Sequence, residues 1–263
     1  MCTARVRRTV CGVSYVDVGF GPLYYEVHGQ GEPVVLLHGG GFGFGAGFLS
    51  PQITDLTAAG FAVYSPERVG HARTPDRDGP YSHYAMAEET SAFIEVVVGG
   101  PAHLVGWSDG MTVGLLTVMG RPELVSRFVG IGCMVNADGA TAAYYETIAD
   151  LEAEPWPALV ESYALLSPDG PEHFPIFLQK LLELMRHRPD IELSVLSTIK
   201  CPVLLIQGDD DFVHVEHSAA AARAVPHGRL AVLPGSHLFP LESPELLDPL
   251  LVAFLRGRLP SPT

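Results

Sequence analysis

His103-Leu104-Val105-Gly106-Trp107-Ser108-Asp109-Gly110 is a short apolar strand that runs into Gly-x-Ser-x-Gly and then into the apolar run from Met111 to Met119. Strand, serine and helix in that order are what a nucleophile elbow requires. Such a turn is so sharp that a side chain two residues before or after the serine would strike the neighbouring backbone, and Gly106 and Gly110 supply the room. The Ser108 hydroxyl is then exposed at a strand end, close to the Asp109 N–H and the positive end of the following helix. Five residues with three small ones fixed arise often by chance. The flanking chain has to carry the rest of the argument.

Upstream, Val13 to Val18 and Leu23 to His28 have strand character and are separated by the turn Gly19-Phe20-Gly21-Pro22. Residues 1–12 read as a loose arm. Pro33 to Leu37 is a continuous apolar strand of the kind buried on both faces of a sheet, and it ends in His38-Gly39-Gly40-Gly41. That glycine run lets backbone N–H groups approach a ligand, but no Lys-Ser/Thr follows as a phosphate loop needs. Pro51 to Ala59 is helical in pattern, Phe61 to Tyr64 is a strand, and residues 66–82 form a Pro- and Gly-rich loop. Tyr84 to Val98 reads as a helix with Ala92, Phe93, Val96 and Val97 on its buried face.

Downstream, Phe128 to Met134 is a strand, so strand and helix alternate as in a doubly wound, mostly parallel α/β sheet. The alternation breaks over residues 136–198, which contain no clear strand. The best helical pattern there is Phe174 to Arg186, with Leu178, Leu181, Leu182 and Met185 on one face and Gln179, Glu183 and Arg186 on the other. The sheet resumes at Pro202 to Gln207, followed by a helix near Ser218 to Ala224 and a strand from Arg229 to Leu233. Ser243-Pro244 opens a last helix that buries Leu247, Leu250, Leu251 and Phe254, with Pro249 expected to delay its regular part. The division expected is a core over 13–135 and 199–258 with a helical cap over 136–198.

A chain of 263 residues with 47% hydrophobic residues and positive mean hydropathy can bury a large core. Sixteen basic against thirty acidic residues give a formal charge of −14, which repels nucleic acid and anionic membrane surfaces. No apolar run approaches the roughly 18 residues of a membrane helix, and no signal-peptide core follows the basic N-terminus. A cytoplasmic protein with a small-molecule substrate is the expectation. Cys2, Cys11, Cys133 and Cys201 have no paired spacing, so neither zinc nor a disulfide framework is indicated, and Cys133 and Cys201 read as buried thiols.

A serine hydroxyl needs a base, and the base needs an orienting carboxylate. Loops that follow parallel strands converge on one sheet edge, which selects the loops at Ser108, after Gln207 and after Leu233. The second carries Gly208-Asp209-Asp210-Asp211 and the third Gly235-Ser236-His237, giving the chain order Ser, Asp, His expected with an elbow. Three adjacent aspartates leave the acid's register open at this point. His214-x-x-His217 beside them reads as a solvated helix start in preference to a metal site.

In these features the chain resembles the serine-nucleophile members of the α/β-hydrolase fold. His38 to Gly41 is similar to their oxyanion loop, Gly106 to Gly110 to their elbow, Gly208 to Asp211 to their acid loop, and Ser236-His237 to their histidine loop. Gly-Trp-Ser-Asp-Gly is also similar to the elbow of valacyclovir-hydrolase-like esterases. The resemblance implies Ser108 as nucleophile, His237 as base and then acid, and Asp211 as orienting carboxylate, with Asp209 and Asp210 as alternatives. It implies an oxyanion hole from the Asp109 N–H and that of Gly40, or of Gly41 if the loop is displaced by one. Glu67-Arg68-Val69-Gly70-His71-Ala72-Arg73-Thr74 departs from the family's Asp-x-Arg-Gly-x-Gly-x-Ser run, a loop that buttresses the fold. His38 is expected to support the oxyanion loop.

The activity implied is cofactor- and metal-independent hydrolysis of a small ester, thioester or lactone through an acyl-enzyme. Gly41 and Trp107 are candidate substrate contacts, and Trp107 and Asp109 are equally open to a packing role. Tyr144, Tyr145, Trp156, Tyr163, Phe174 and Phe177 make the inserted segment aromatic and favour an apolar or aromatic substrate, though each taken singly is expected to pack in preference to touching substrate. Two rivals stand beside this reading. The glycine-rich run His38 to Gly45 is similar to hydrolases that cleave carbon–carbon bonds, and the fold also serves ligand-binding proteins with little turnover. Dehalogenases and epoxide hydrolases of this fold carry Asp where this chain has Ser108.

Overall fold

The computed structural model describes residues 13–40, 45–132, 134–188 and 190–259. The arm at 1–12, Gly41 and Cys133 lie outside the described residues.

Eight strands form one sheet, in the order β1-β2-β4-β3-β5-β6-β7-β8: β1 (Val13–Asp17), β2 (Pro22–Gly29), β3 (Glu32–Leu37), β4 (Phe61–Pro66), β5 (Ala102–Trp107), β6 (Val125–Ile131), β7 (Val203–Gly208) and β8 (Gly228–Leu233). The first two form the expected hairpin, β2 runs antiparallel to β4, and every other neighbouring pair is parallel. The helices are α1 (Ser50–Ala58), α2 (His83–Phe93), α3 (Asp109–Gly120), α4 (Ala142–Ala153), α5 (Pro157–Leu166), α6 (Phe174–Arg186), α7 (Val215–Ala224), the short α8 (Phe239–Glu242) and α9 (Pro244–Leu255).

Alternation along the strands divides the core into two layers. Val34, Leu36, Val105, Trp107, Val129 and Ile131 face one side, where Ile53 and Leu56 of α1 and Leu247, Leu251 and Phe254 of α9 cover them. Val35, Leu37, Leu104, Phe128 and Leu205 face the other, with Met86 of α2, Met111 and Val113 of α3 and Ala221 of α7. Strands buried on both faces need continuous apolar runs, which is why β5 is buried at every position.

The chain steps from β3 outward to β4 and then back past β3 to β5, so the winding direction reverses between two adjacent strands. In open α/β sheets, ligands bind at that switch point. Leu37 pairs with Gly106, which sets the loop after β3 beside the elbow after β5.

Two helices differ from expectation. Residues Ile94–Val98 continue α2 as a wider, π-type turn, which rotates Val96 into solvent; the buried apolar positions are Met86, Ala87, Phe93 and Ile94. Pro249 does not delay α9, which starts at Pro244 and carries Pro249 on its exposed side. The segment between β6 and β7 contains α4, α5 and α6, with α6 at the bounds expected. Leu178 and Met185 are half-buried there, while Phe177 and Leu184 are buried beside Leu181 and Leu182. The two ends of that segment meet: Ile191 N–H donates to Val135 O, and the Asn136 side-chain amide to Ile191 O at 3.1 Å. Cys201 is a half-buried free thiol whose pKa burial pushes up to about 11. No helix among the described residues is long and apolar enough to cross a membrane.

Candidate active site

Ser108 joins β5 to α3 with φ +56° and ψ −121°, a conformation non-glycine residues rarely hold and one that costs on the order of 1–3 kcal/mol. The neighbouring glycines make it possible. A Cβ on Gly106 would stand 2.7 Å from the Met111 nitrogen, and one on Gly110 would stand 2.6 Å from the His38 carbonyl oxygen. Ser108 N–H donates to Ile131 O at 2.8 Å, fixing the turn to β6.

The three strand-end loops converge as the topology requires. His237 Nδ1 lies 2.9 Å from Asp211 Oδ1, and His237 Nε2 lies 2.9 Å from Ser108 Oγ. An ionised carboxylate can only accept, so Nδ1 carries the imidazole proton and Nε2 is left to accept from the serine hydroxyl. Asp211 Oδ1 also accepts the Val213 N–H at 3.2 Å. The other two aspartates stand elsewhere: Asp209 accepts the Gly235 N–H, and Asp210 is exposed at the cavity rim.

The imidazole is held from several sides. The Phe212 ring lies over it at a centroid separation of 3.9 Å. Gly132, at φ +68° just past β6, backs it so closely that a Cβ would stand 2.6 Å from His237 Cε1. Trp107 donates its indole N–H to His237 O at 3.0 Å and stacks on Phe48. Trp107 is therefore not a substrate contact: it is 1% exposed, faces the α1–α9 layer and holds the histidine loop from behind. Its place in the alternation of β5, two residues after Val105, is the signal that could have assigned it.

His38 supports its loop as expected. Arg68 N–H donates to His38 Nε2 at 3.1 Å, so Nδ1 bears the proton and donates to Gly39 O at 2.7 Å. Burial, reinforced by the Arg68 charge, holds the His38 pKa well below the imidazole range, so the ring is neutral. The departing loop is built around Glu67, fully buried, which accepts from Ala46 N–H at 2.8 Å and Arg73 N–H at 2.7 Å and pairs with the Arg73 guanidinium. His217 is structural: its Nε2 accepts the Val135 N–H at 3.1 Å.

A cavity of about 460 Å³ opens over Ser108 and His237. Gly40 and Asp109 line it on the sheet side, with Tyr144, Leu151, Trp156, Met185 and Arg188 across from them. Of the aromatic set in the inserted segment, Tyr144 and Trp156 line this cavity. Tyr163, Phe174 and Phe177 pack on one another, and Tyr145 is exposed. Sequence reasoning missed Phe212 and Arg188, neither of which belongs to a motif.

Asp109 is 2% exposed and, with Asp211, is one of two buried carboxylates that line the pocket. Burial alone would raise its pKa. The adjacent Arg188 charge, with the His83 hydrogen bond and Arg68 behind it, reverses that and holds the carboxyl below the usual range.

Comparison with known proteins agrees with this fold. A family model described as the alpha/beta hydrolase family matches residues 34–248. The RutD protein of Azorhizobium caulinodans, whose name ascribes carbamate hydrolysis to it, is 28% identical over 262 residues, covering 91% of this chain and 97% of that one. The human serine hydrolase BPHL is 27% identical over 244 residues, covering 89% of this chain and 83% of its own length. Among solved structures, the carboxylesterase CesB of Bacillus subtilis superposes with a TM-score of 0.73 at 22% identity, over 98% of this chain and 93% of that one, and shares the fold.

Proposed function

Because the chain belongs to the alpha/beta hydrolase family, we propose that it is a serine hydrolase that cleaves a small ester, thioester or lactone through an acyl-enzyme on Ser108. The observation that carries this reading is the hydrogen-bonded chain Ser108 Oγ, His237, Asp211, with both links at 2.9 Å, at the wall of a largely apolar cavity.

In this mechanism His237 Nε2 takes the hydroxyl proton as Ser108 attacks the acyl carbon, and Asp211 holds the ring and stabilises the imidazolium. The Asp109 and Gly40 N–H groups receive the oxyanion. Each such preorganised donor contributes on the order of 3 kcal/mol to the transition state. His237 then returns the proton to the leaving group, and water, activated by the same imidazole, releases the acid. No step calls for a metal or cofactor.

Residues 136–198 act as a cap over the core formed by 13–135 and 199–258, and the substrate enters beneath it. Leu151, Trp156, Met185, Phe212 and Leu238 give the cavity an apolar lining suited to a neutral acyl group. A free carboxylate beside the nucleophile would favour a cationic substrate; Asp109 is already paired with Arg188, which removes that preference. The likeness to RutD and to BPHL supports acyl chemistry of this kind. Solved carbon–carbon bond hydrolases are similar at 18–20% identity, which shows the shared fold alone.

The test is a series of p-nitrophenyl esters of rising chain length, assayed on the wild type and on Ser108→Ala. Turnover that rises with chain length to an optimum and then falls, and that is lost in Ser108→Ala, is expected. Equal turnover by the two proteins would overturn the reading.

A further inference from the structure

Arg188 stands just past α6, yet its guanidinium ends on the elbow helix. Nη2 donates to Asp109 Oδ1 at 2.5 Å, Nη1 to Thr112 Oγ1 at 3.3 Å, and Nε to the Tyr144 hydroxyl of α4 at 2.8 Å. The side chain is 12% exposed and lines the cavity.

Its partner sits in a sensitive place. The Asp109 carboxylate lies against Gly40, where a Cβ would stand 2.9 Å from Asp109 Cγ. Asp109 Oδ2 is buried with no hydrogen-bond partner among the described residues. One carboxylate therefore sits beside both backbone segments that supply the oxyanion donors. Uncompensated, a negative charge there opposes the negative charge that develops on the acyl oxygen, and a dry site magnifies the repulsion. The charged or titratable groups around Asp109 include Arg188, Arg68, His83 and, further off, His38, His71 and Tyr144. His83 Nε2 is 3.4 Å away, and the Arg68 guanidinium is engaged by His38 O at 2.8 Å. Of these groups, the Arg188 guanidinium makes the short contact to the carboxylate, at 2.5 Å.

We propose that Arg188 is a positioning residue for the reaction: it cancels the Asp109 charge beside the oxyanion donors, so that the elbow reaches its working electrostatics only when the inserted segment is seated. The proposal rests on the serine-hydrolase reading above. It makes the segment between β6 and β7 part of the electrostatic machinery as well as a wall of the pocket. The Tyr144 and Thr112 contacts hold the guanidinium against the carboxylate while leaving N–H groups over.

The experiment measures kcat and KM of the wild type, Arg188→Met, Arg188→Lys and the double variant Arg188→Met/Asp109→Asn. Two substrates are used, neutral p-nitrophenyl butyrate and the carboxylate-bearing p-nitrophenyl hemisuccinate. Arg188→Met is expected to lower kcat on the neutral ester by about tenfold to a hundredfold while KM moves less than about threefold. Removing the stranded carboxylate in the double variant restores kcat to within about fivefold of wild type, a recovery that a merely structural arginine does not give. Arg188→Lys, which keeps the charge, retains most of the activity.

A double variant no faster than Arg188→Met overturns the proposal. So does a loss confined to the hemisuccinate and expressed in KM, which would make Arg188 a ligand for a substrate carboxylate. If Arg188→Met does not fold because it buries an unpaired carboxylate, the charge-free double variant decides: near-wild-type kcat supports the proposal and a large loss overturns it. Fluorophosphonate labelling of wild-type Ser108 is run alongside. Labelling with no rescue defeats the proposal alone, whereas absence of labelling defeats the serine-hydrolase reading.

Discussion

The two sides of the cavity are held in place by different forces. On the sheet side, Ser108, Asp211 and His237 stand on three loops whose backbones are pinned to neighbouring strands by hydrogen bonds such as Ser108 N–H to Ile131 O and Asp209 N–H to Leu233 O. Side chains were dispensed with wherever backbone had to pass backbone. Across the cavity, the inserted segment keeps backbone hydrogen bonds to the core at its roots, such as Thr141 N–H to Phe212 O, but α6 and the residues flanking it reach the core through side-chain ion pairs. Asp76 in the loop after β4 takes Lys180 Nζ at 2.8 Å and His173 Nε2 at 2.7 Å, and Arg188 takes Asp109. Backbone hydrogen bonds define positions to fractions of an ångström. Long charged side chains hold a contact but tolerate movement. On the reading proposed above, the reacting groups stand on the rigid side, and the adjustable side selects the substrate and, through Arg188, tunes the charge at the elbow.

That contrast can be broken at graded points. The largest effect is expected from His237→Gln, which removes the base: kcat falls about 10⁴-fold while the melting temperature moves little, measured by steady-state kinetics beside thermal denaturation. Next is Gly132→Ala, on the rigid side but with no reacting atom. Its methyl group displaces the imidazole from behind, and an expected loss of about a hundredfold in kcat follows from a shift of an ångström or less. A Gly132→Ala protein with full activity would show that the sheet side is more compliant than its contacts indicate.

On the adjustable side, Asp76→Ala strands Lys180 and His173, which keep partial access to water. A destabilisation of about 1–3 kcal/mol is expected by urea unfolding, with KM for long-chain esters rising several-fold and kcat for p-nitrophenyl acetate held within about twofold. A collapse of kcat on the short ester would contradict the division of labour.

The smallest effect lies behind the rigid side, at Asp248 of α9. Burial pushes its pKa up to about 6 despite the hydrogen bond from Gln52, and Asp55 and Glu245 add to the rise. Below 3.8 both the folded and unfolded carboxyls are protonated, and there is no linkage. Between 3.8 and about 6 the folded protein keeps a proton that the unfolded chain releases, so this group lowers stability as pH rises through that window. Asp248→Asn should therefore gain on the order of 1–2 kcal/mol at pH 8 and little at pH 4, with unchanged kcat. An equal gain at both pH values would show that packing, not ionisation, is the cause.

How far the sequence could be read follows the same division. The elbow, the acid loop and the histidine loop were legible because strand ends converge and each carries a distinctive residue. The register among Asp209, Asp210 and Asp211 needed the structure, since it depends on which carboxylate turns back toward β8's loop. Trp107 was open only because the alternation of β5 was not pressed to its last residue. Val96 was misplaced because a π-type turn rotates the face that a regular helix would keep buried. Arg188 was out of reach, since nothing in a sequence announces that a residue 79 positions away will meet Asp109. The aromatic residues of the inserted segment are expected to pack more than to line, as Tyr163, Phe174 and Phe177 do; which of them would reach the cavity, Tyr144 and Trp156, was not legible because composition cannot tell a lining ring from a core ring.

The central claim is that Ser108 is acylated and that His237 drives both acylation and release. The most direct test is intact-mass spectrometry of the wild type, His237→Gln and Ser108→Ala after rapid acid quench from a p-nitrophenyl ester, with the adduct mapped by peptide digestion. The account predicts an acyl adduct on Ser108 of the wild type during turnover and none in Ser108→Ala. An adduct on another residue, or ester turnover by the Ser108→Ala protein at the wild-type rate, would contradict it.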